Sequence, residues 1–426
     1  MSGELARRLG TRDAVVIGLG SMIGAGVFSA FGPAAAVAGS GLLVGLALAA
    51  GIAYCNAVAS AQLAAQYPTS GGTYVYGRER LGEWWGFLAG WGFVIGKTAS
   101  CAAMALTFAS YAIDGPRWLQ RLVALAAVLV LAAVNYHGIT RTAGLARLLV
   151  AGSLLALLVF VIAVATGDGA SLSHIGGLSA LRDGGVHGTL QAAGLLFFAF
   201  AGYARIATLG EEVVRPEVTI PRAIPIALGI TVAVYLVVAL AALAAVGPEG
   251  LAHSPHPLST AVDAVGSAWA GPVVRAGAAV ASLGALLALI AGLGRTVLAM
   301  ARNGDLPRRL DSVHPRHLVP DRAELAVAAA AGILVLTTDL RGAIGFSSFG
   351  VLTYYAVANA AARTQSAEHR RWPRWLNVAG LAGCVVLVAS LPLASVVAGL
   401  AVLVVGLLGR ALLSTRRSGR ARSPSG

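Results

Sequence analysis

The stretch of the chain with the clearest chemical potential carries no ionisable side chain. Residues Gly18 to Gly26 read Gly-Leu-Gly-Ser-Met-Ile-Gly-Ala-Gly, four glycines in nine residues, inside an apolar run. Glycine costs about 1 kcal/mol per helical position relative to alanine. Such a run therefore serves either close helix packing through small residues or an unwound segment whose bare peptide groups bind a ligand. A second interruption lies at Phe197-Phe198-Ala199-Phe200-Ala201-Gly202-Tyr203-Ala204-Arg205, where a glycine and a charge enter another apolar run. That run continues to Glu211 and Glu212 and a turn marked by Pro216 and Pro221. Where a helix restarts, its first amide hydrogens are free and its dipole is positive, which suits a carboxylate. Where the preceding half-helix stops, free carbonyls suit an ammonium group. A zwitterionic α-amino acid satisfies both ends without any charged side chain.

The elements that hold these breaks are membrane spans. Of 426 residues, 57% are hydrophobic and 12% charged, with a mean hydropathy of +0.79. A soluble domain carries about 25% charged residues, so most of this surface does not face water. The net charge of +13 does not point to nucleic acid, because the arginines cluster in short gaps between apolar runs, as they do beside membrane spans. Cys55, Cys101 and Cys384 sit within apolar runs and share no metal-ligand spacing. The first apolar run follows Arg7, Arg8 and Arg12 like a secretory signal, but it exceeds the roughly 7–15 residues of a signal core. It is expected to be a retained span.

A bilayer core needs about 20 helical residues. On that template about twelve spans fall near 13–39, 41–66, 85–113, 119–137, 142–166, 189–211, 222–246, 272–301, 322–338, 342–362, 375–391 and 394–413. The expected fold is an all-α integral membrane protein. With the N-terminus inside, the inner gaps collect Arg78 and Arg80, Arg141 and Arg147, Arg215 and Arg222, and dense arginines over 302–322, 363–374 and 410–422. The outer gaps hold only Arg117, Arg121, Arg182, Arg275 and Arg341. This bias places both termini in the cytoplasm of a multi-pass cell-membrane protein. The two breaks lie five spans apart, and an odd separation inserts a second copy of a five-helix unit upside down. Interrupted spans at matching positions of two such halves point to a substrate site between them. The expected organisation is a cytoplasmic segment 1–12, one repeat over 13–166, its inverted partner over 189–362, two further helices over 375–413, and a basic surface tail over 414–426.

Four motifs in order carry a family resemblance. They are Ile23-Gly24-Ala25-Gly26-Val27-Phe28 in the first span and Tyr67-Pro68-Thr69-Ser70-Gly71-Gly72-Thr73-Tyr74-Val75-Tyr76 after the second. The third is Phe198 to Glu212 with Ile220-Pro221-Arg222-Ala223-Ile224, and the fourth is Ala299-Met300-Ala301-Arg302-Asn303-Gly304-Asp305-Leu306-Pro307. Together they resemble the amino acid–polyamine–organocation transporter superfamily over roughly residues 13–360. The resemblance implies a LeuT-like five-plus-five inverted-repeat core with two added helices, working by alternating access. It places the substrate carboxylate at the amides of Gly24, Ala25 and Gly26, and the ammonium at carbonyls near Met22, Phe198, Ala199 and Ala201. Ile23 and Gly202 complete the two breaks. Phe198 falls where related exchangers put an aromatic gate, or else it packs as an ordinary core ring.

Coupling is open in the sequence. Some relatives use a lysine in helix five, where this chain has Ser153; sodium-coupled relatives use hydroxyls on helix eight, where Ser282 could serve. Either serine could instead bond back to its own helix. Lys97, the chain's one lysine, lies mid-span among Gly92, Phe93, Gly96, Thr98 and Ala99. An ionisable group at that depth is costly and faces a cavity or a partner, so Lys97 either couples transport to protons, stands in for a bound cation, or is a paired structural lysine. Arg205 would disfavour a cationic substrate if it faced the site; it is more readily expected to pair with Glu211 or Glu212. No cofactor or metal is called for. The substrate is an amino acid or amine, the coupling species a proton or sodium, and the oligomeric state is left open. Symport, amino acid/polyamine antiport and a non-transporting sensor remain rival modes. A membrane enzyme would need clustered catalytic groups, but the eight histidines all fall in predicted loops or span ends.

Overall fold

The computed structural model describes residues 9–421 other than 70, 138–142, 176–183 and 318. The expected positions Arg7, Arg8, Ser70, Arg141, Arg182 and Arg422 lie outside the described residues. In chain order the helices are α1 (Thr11–Met22), α2 (Ala25–Ser29), α3 (Phe31–Ala38), α4 (Leu42–Gln66), α5 (Thr73–Leu81), α6 (Glu83–Ala112) and α7 (Arg117–Tyr136). There follow α8 (Ala143–Thr166), α9 (Gly185–Phe200), α10 (Ala204–Ala207), α11 (Pro216–His253), α12 (Pro257–Ala264) and α13 (Gly271–Arg302). The last four are α14 (Asp321–Thr337), α15 (Leu340–Arg363), α16 (Arg374–Ser390) and α17 (Leu393–Ala421). No strand occurs among the described residues. One isolated bridge, between Leu9 and Val213, ties the start of the first span to the segment beyond the second break.

The chain is an all-α membrane protein. Among the described residues, eight helical stretches are long and apolar enough to cross a bilayer, and the shorter apolar helices Gly185–Phe200 and Arg374–Ser390 accompany them. The expected spans fall on helix over most of their length; the first is interrupted at 23–24, and 189–211 is interrupted at 201–203 and leaves helix from Thr208. The sequence reading missed three elements in its gaps: α5, α12, and the extension of α11 past residue 246, which bends at Gly247 with φ 64°. The α17 helix also runs on to Ala421, into the region expected to be a basic surface tail.

α6 is the central helix. Its membrane window is 78% buried, against 22% for α7 and 17% for α17, which lie at the periphery. The sequence builds this centrality from small residues. Gly92 and Gly96 of α6 face Gly350 of α15 so closely that a Cβ on Gly350 would lie 2.6 Å from Gly96 Cα. Two helices can approach that far only where both lack side chains. The remaining contacts pack α13 on α6, α16 on α15, α4 on α9, and α11 on α1 and α4.

Ion pairs tie the bundle at both ends. At the end carrying α5, buried Asp305 accepts from Tyr74 Oη at 2.6 Å, from Arg78 at 2.9 Å and from Arg410 Nε at 2.9 Å. Burial, with the Asp305 carboxylate alongside, pushes the Tyr74 phenol up, so it remains a donor. Arg410 also lies over the Trp84 ring at 4.4 Å and donates to the Glu83 carbonyl at 2.8 Å. Together these contacts pin α17 and the turn after α13 to α5 and α6. At the opposite end Tyr111 donates to the Phe28 carbonyl at 2.8 Å and accepts from Leu258 N at 3.2 Å, holding α2 to α6 and α12. Beside it Arg275 bonds Asp114 at 2.9 Å and holds that carboxyl below its usual range.

Removing one partner of a buried ion pair costs about 3–5 kcal/mol, because the other charge stays buried and uncompensated. Asp305→Asn is therefore expected to lower the unfolding temperature of the detergent-purified protein by several degrees. An unchanged midpoint would show that the clasp carries no stability.

Candidate functional site

Both expected breaks are present. α1 ends at Met22; Ile23 has φ −81° and ψ 67°, Gly24 has φ −118° and ψ −145°, and α2 begins at Ala25. Ala30 keeps helical angles and bonds back to Gly26 O at 2.9 Å, so α2 runs on into α3 as one bent rod. α9 ends at Phe200, Ala201 to Gly202 to Tyr203 form a turn, and α10 restarts at Ala204.

The two breaks touch each other. A Cβ on Gly26 would lie 2.7 Å from Ala199 Cα, and a Cβ on Gly202 would fall on the Ser21 carbonyl and 2.6 Å from Met22 N. Neither glycine can be replaced without moving backbone. The pattern is reciprocal, since each residue just past one break meets residues just before the other. Two helices running in opposite directions and interrupted at the same level give this arrangement. Met22 and Ile23 are each 1% exposed, Ala201 1%, and Ala199 6%, so the peptide groups here are screened from bulk water.

Such groups need partners, and the chain supplies several. The Tyr235 hydroxyl, on α11, lies 2.6 Å from Met22 O and 3.0 Å from Ala199 O, bridging one carbonyl from each break. Lys97 Nζ, on α6, donates to Ala201 O at 3.0 Å. Gly24 N turns back onto Met22 O at 2.9 Å. Each carbonyl oxygen has two lone pairs; Met22 O uses both, on Tyr235 and Gly24 N, whereas Ala199 O keeps room for a second donor. At the start of α2 the first amides have no partner within their own helix, which leaves Ala25 and Gly26 better placed than Gly24 to receive an anion.

The other sequence candidates divide. Phe198, 7% exposed, belongs to the apolar cluster of α6, α7, α13 and α14 that includes Cys101 and Leu286. Ser282 lies on α13 between Ala281 and Ala285, the residues packed against Gly24; its hydroxyl is buried and has no hydrogen-bond partner. Ser153 instead donates to Leu149 O at 2.8 Å, a bond within its own helix. Arg205, just beyond the second break, is exposed and reaches Thr208 Oγ1 at 3.5 Å; Glu212 and Arg295 are its charged neighbours. Glu211 lies farther along the same segment and is half-buried. The sequence reading missed Tyr235. A lone tyrosine within the apolar run Val232 to Leu236 was a usable signal, since a buried phenol finds a hydrogen-bond partner.

Among known families, the amino acid permease family matches residues 9–408 of this chain. The chain is 60% identical to a transporter of Mycobacterium tuberculosis, over 97% of this chain and 93% of that one. It is 27% identical to the branched-chain amino acid permease BcaP of Bacillus subtilis, over 98% and 95%. To the human cationic amino acid transporter 4 it is 31% identical, over 83% of this chain and 59% of that protein.

Two substitutions probe the geometry. Gly202→Val drives a side chain into the Ser21 carbonyl and is expected to abolish substrate binding in a thermal-shift assay of the purified protein. Tyr235→Phe removes one shared hydrogen bond, worth about 1 kcal/mol, and is expected to weaken that binding about fivefold while leaving the unfolding temperature of the ligand-free protein nearly unchanged.

Proposed function

This chain belongs to the amino acid permease family and is a membrane transporter; from that premise we propose that it carries α-amino acids across the cell membrane by alternating access. One observation carries the reading: the two broken helices meet backbone to backbone, with carbonyl groups and a helix start at the same level. The substrate carboxylate is received by the amides of Ala25 and Gly26. The ammonium is received by the second lone pair of Ala199 O, with Met22 O and Phe198 O beside it. The reciprocity of the two contacts supports an inverted-repeat core over 13–166 and 189–362, with α16 and α17 as additions. Both termini lie in the cytoplasm, as the arginine bias indicates.

Transport is driven by protons, with Lys97 as the coupling group. A buried ammonium in contact with the second break loads or releases the carbonyl of Ala201 as its proton comes and goes. Sodium, held near the unpartnered Ser282 hydroxyl, is the second coupling mode the geometry admits. Exchange of one amino acid for another uses the same site without net proton movement.

Uptake of labelled amino acids into proteoliposomes, guided by a thermal-shift screen against all amino acids and polyamines, tests the proposal. Accumulation or exchange is expected; binding without either would instead make the protein a sensor. Lys97→Met is expected to abolish proton-driven accumulation and to retain exchange. An unchanged pH dependence in that variant would remove Lys97 from the coupling step.

A further inference from the structure

We infer that the groove between α15 and α16, at the arginine-rich end of the bundle, is a binding site for one anionic phospholipid of the surrounding membrane, its phosphate held by Arg363 and Arg374. The groove lies outside the broken helices, and lipid binding there does not depend on what the protein carries.

Arg363 closes α15 and Arg374 opens α16, and both line one open groove of about 470 Å³. Trp375, Ala360, Val378 and Leu381 line the rest of it. Among the described residues neither arginine makes an ion pair or a side-chain hydrogen bond. Over 363–374 the chain carries four arginines, Arg363, Arg370, Arg371 and Arg374, against one acid, Glu368. One carboxylate cannot neutralise four guanidinium groups, so the groove keeps an unmatched positive charge. A similar set of residues, Arg117, Trp118, Arg121 and Leu122 with Leu336, lines a groove at the opposite end of the bundle. There Arg121 already donates to the carbonyls of Leu336 and Thr338, at 3.0 Å and 3.2 Å. Of the two grooves, the one between α15 and α16 alone offers a pair of uncommitted arginines.

Position selects a lipid over a free anion. Trp375 is 64% exposed and Val378, one turn farther along α16, is 48% exposed. On a membrane-spanning helix such apolar exposure faces acyl chains, and a tryptophan at a span end marks the headgroup level. The groove therefore runs from the headgroups into the hydrocarbon, with charge at its rim and apolar side chains below. A phosphodiester between the two arginines and an acyl chain along Ala360, Val378 and Leu381 complement both parts. Guanidinium groups match phosphate oxygens in bidentate fashion, and basic pockets between spans hold anionic headgroups. Each arginine at an anionic surface strengthens binding roughly fivefold, so the pair is expected to favour an anionic lipid over a zwitterionic one by at least about tenfold. A phosphate held there joins the end of α15 to the start of α16. It also braces Thr364, the groove residue whose hydroxyl and carbonyl accept from Arg80 of α5.

The test is native mass spectrometry of the detergent-purified protein, titrated with phosphatidylglycerol, with phosphatidylcholine of the same acyl chains, and with glycerol 3-phosphate. It compares the wild type with Arg363→Gln, Arg374→Gln, the double variant and Arg117→Gln in the other groove. Wild type and Arg117→Gln are expected to bind phosphatidylglycerol at least about tenfold more tightly than phosphatidylcholine, and to gain unfolding temperature from it. Each single substitution in the groove is expected to cost about fivefold, and the double variant to bring the two lipids within about twofold of each other. Wild-type protein without that preference, or a preference that survives both substitutions, would overturn the lipid site. Should the double variant fail to fold, the single variants decide: unchanged phosphatidylglycerol affinity in both overturns it. An equal loss in Arg117→Gln would remove the site from this groove. Glycerol 3-phosphate binding as tightly as phosphatidylglycerol would make the groove a free-anion site, and a protein dimer displacing the lipid would give it to a second copy of the chain; either result contradicts a phospholipid occupant.

Discussion

The fold depends on one constraint: peptide groups freed inside a membrane-spanning bundle must be satisfied by protein or by ligand, since lipid offers them nothing. The two broken helices meet that constraint largely together. Gly26 lies on Ala199 and Gly202 on Ser21, while a single hydroxyl from Tyr235 spans a carbonyl of each. Other elements hold this contact in place. The Leu9–Val213 bridge joins the two helices below the breaks, and Tyr111 anchors α2 above them.

The distribution of charge follows from the same constraint. Acids and arginines that form ion pairs lie at the ends of the bundle, in the Asp305 clasp on one side and the Asp114–Arg275 pair on the other. These pairs join helix ends and leave the interior to apolar packing and small residues. Lys97 is the exception, an ionisable group placed where it costs most and set against the Ala201 carbonyl of the second break. A structural role for a buried ammonium would normally be matched by a carboxylate. Contact with a backbone carbonyl alone is a weaker restraint, and one that a proton or a ligand can compete for.

Much of this was legible in the sequence. Apolar run length and arginine placement gave the spans, because the bilayer imposes both. The breaks at Gly24 and Gly202 were legible because glycine in mid-span has a cost that needs a cause. Two things were not. The short helices α5 and α12 have no long apolar period to mark them, and α5 is amphiphilic around Tyr74, Tyr76 and Arg78. The partners of the freed carbonyls were also hidden: Tyr235 and Lys97 come from helices remote in sequence, and only the packed bundle shows which carbonyl each one reaches. The serines illustrate the same limit. Ser153 and Ser282 look alike in sequence, yet one is bonded within its own helix and the other has a free hydroxyl beside the first break.

The central claim is that one zwitterion is gripped at both ends by backbone groups of the two broken helices. Calorimetric titration of the purified protein with its best-binding amino acid, with the same molecule lacking its amino group, and with the same molecule lacking its carboxylate tests this directly. The account predicts that each truncated analogue binds at least about a hundredfold more weakly than the parent, since each leaves desolvated backbone groups unpaired. Either analogue binding as tightly as the amino acid would contradict it.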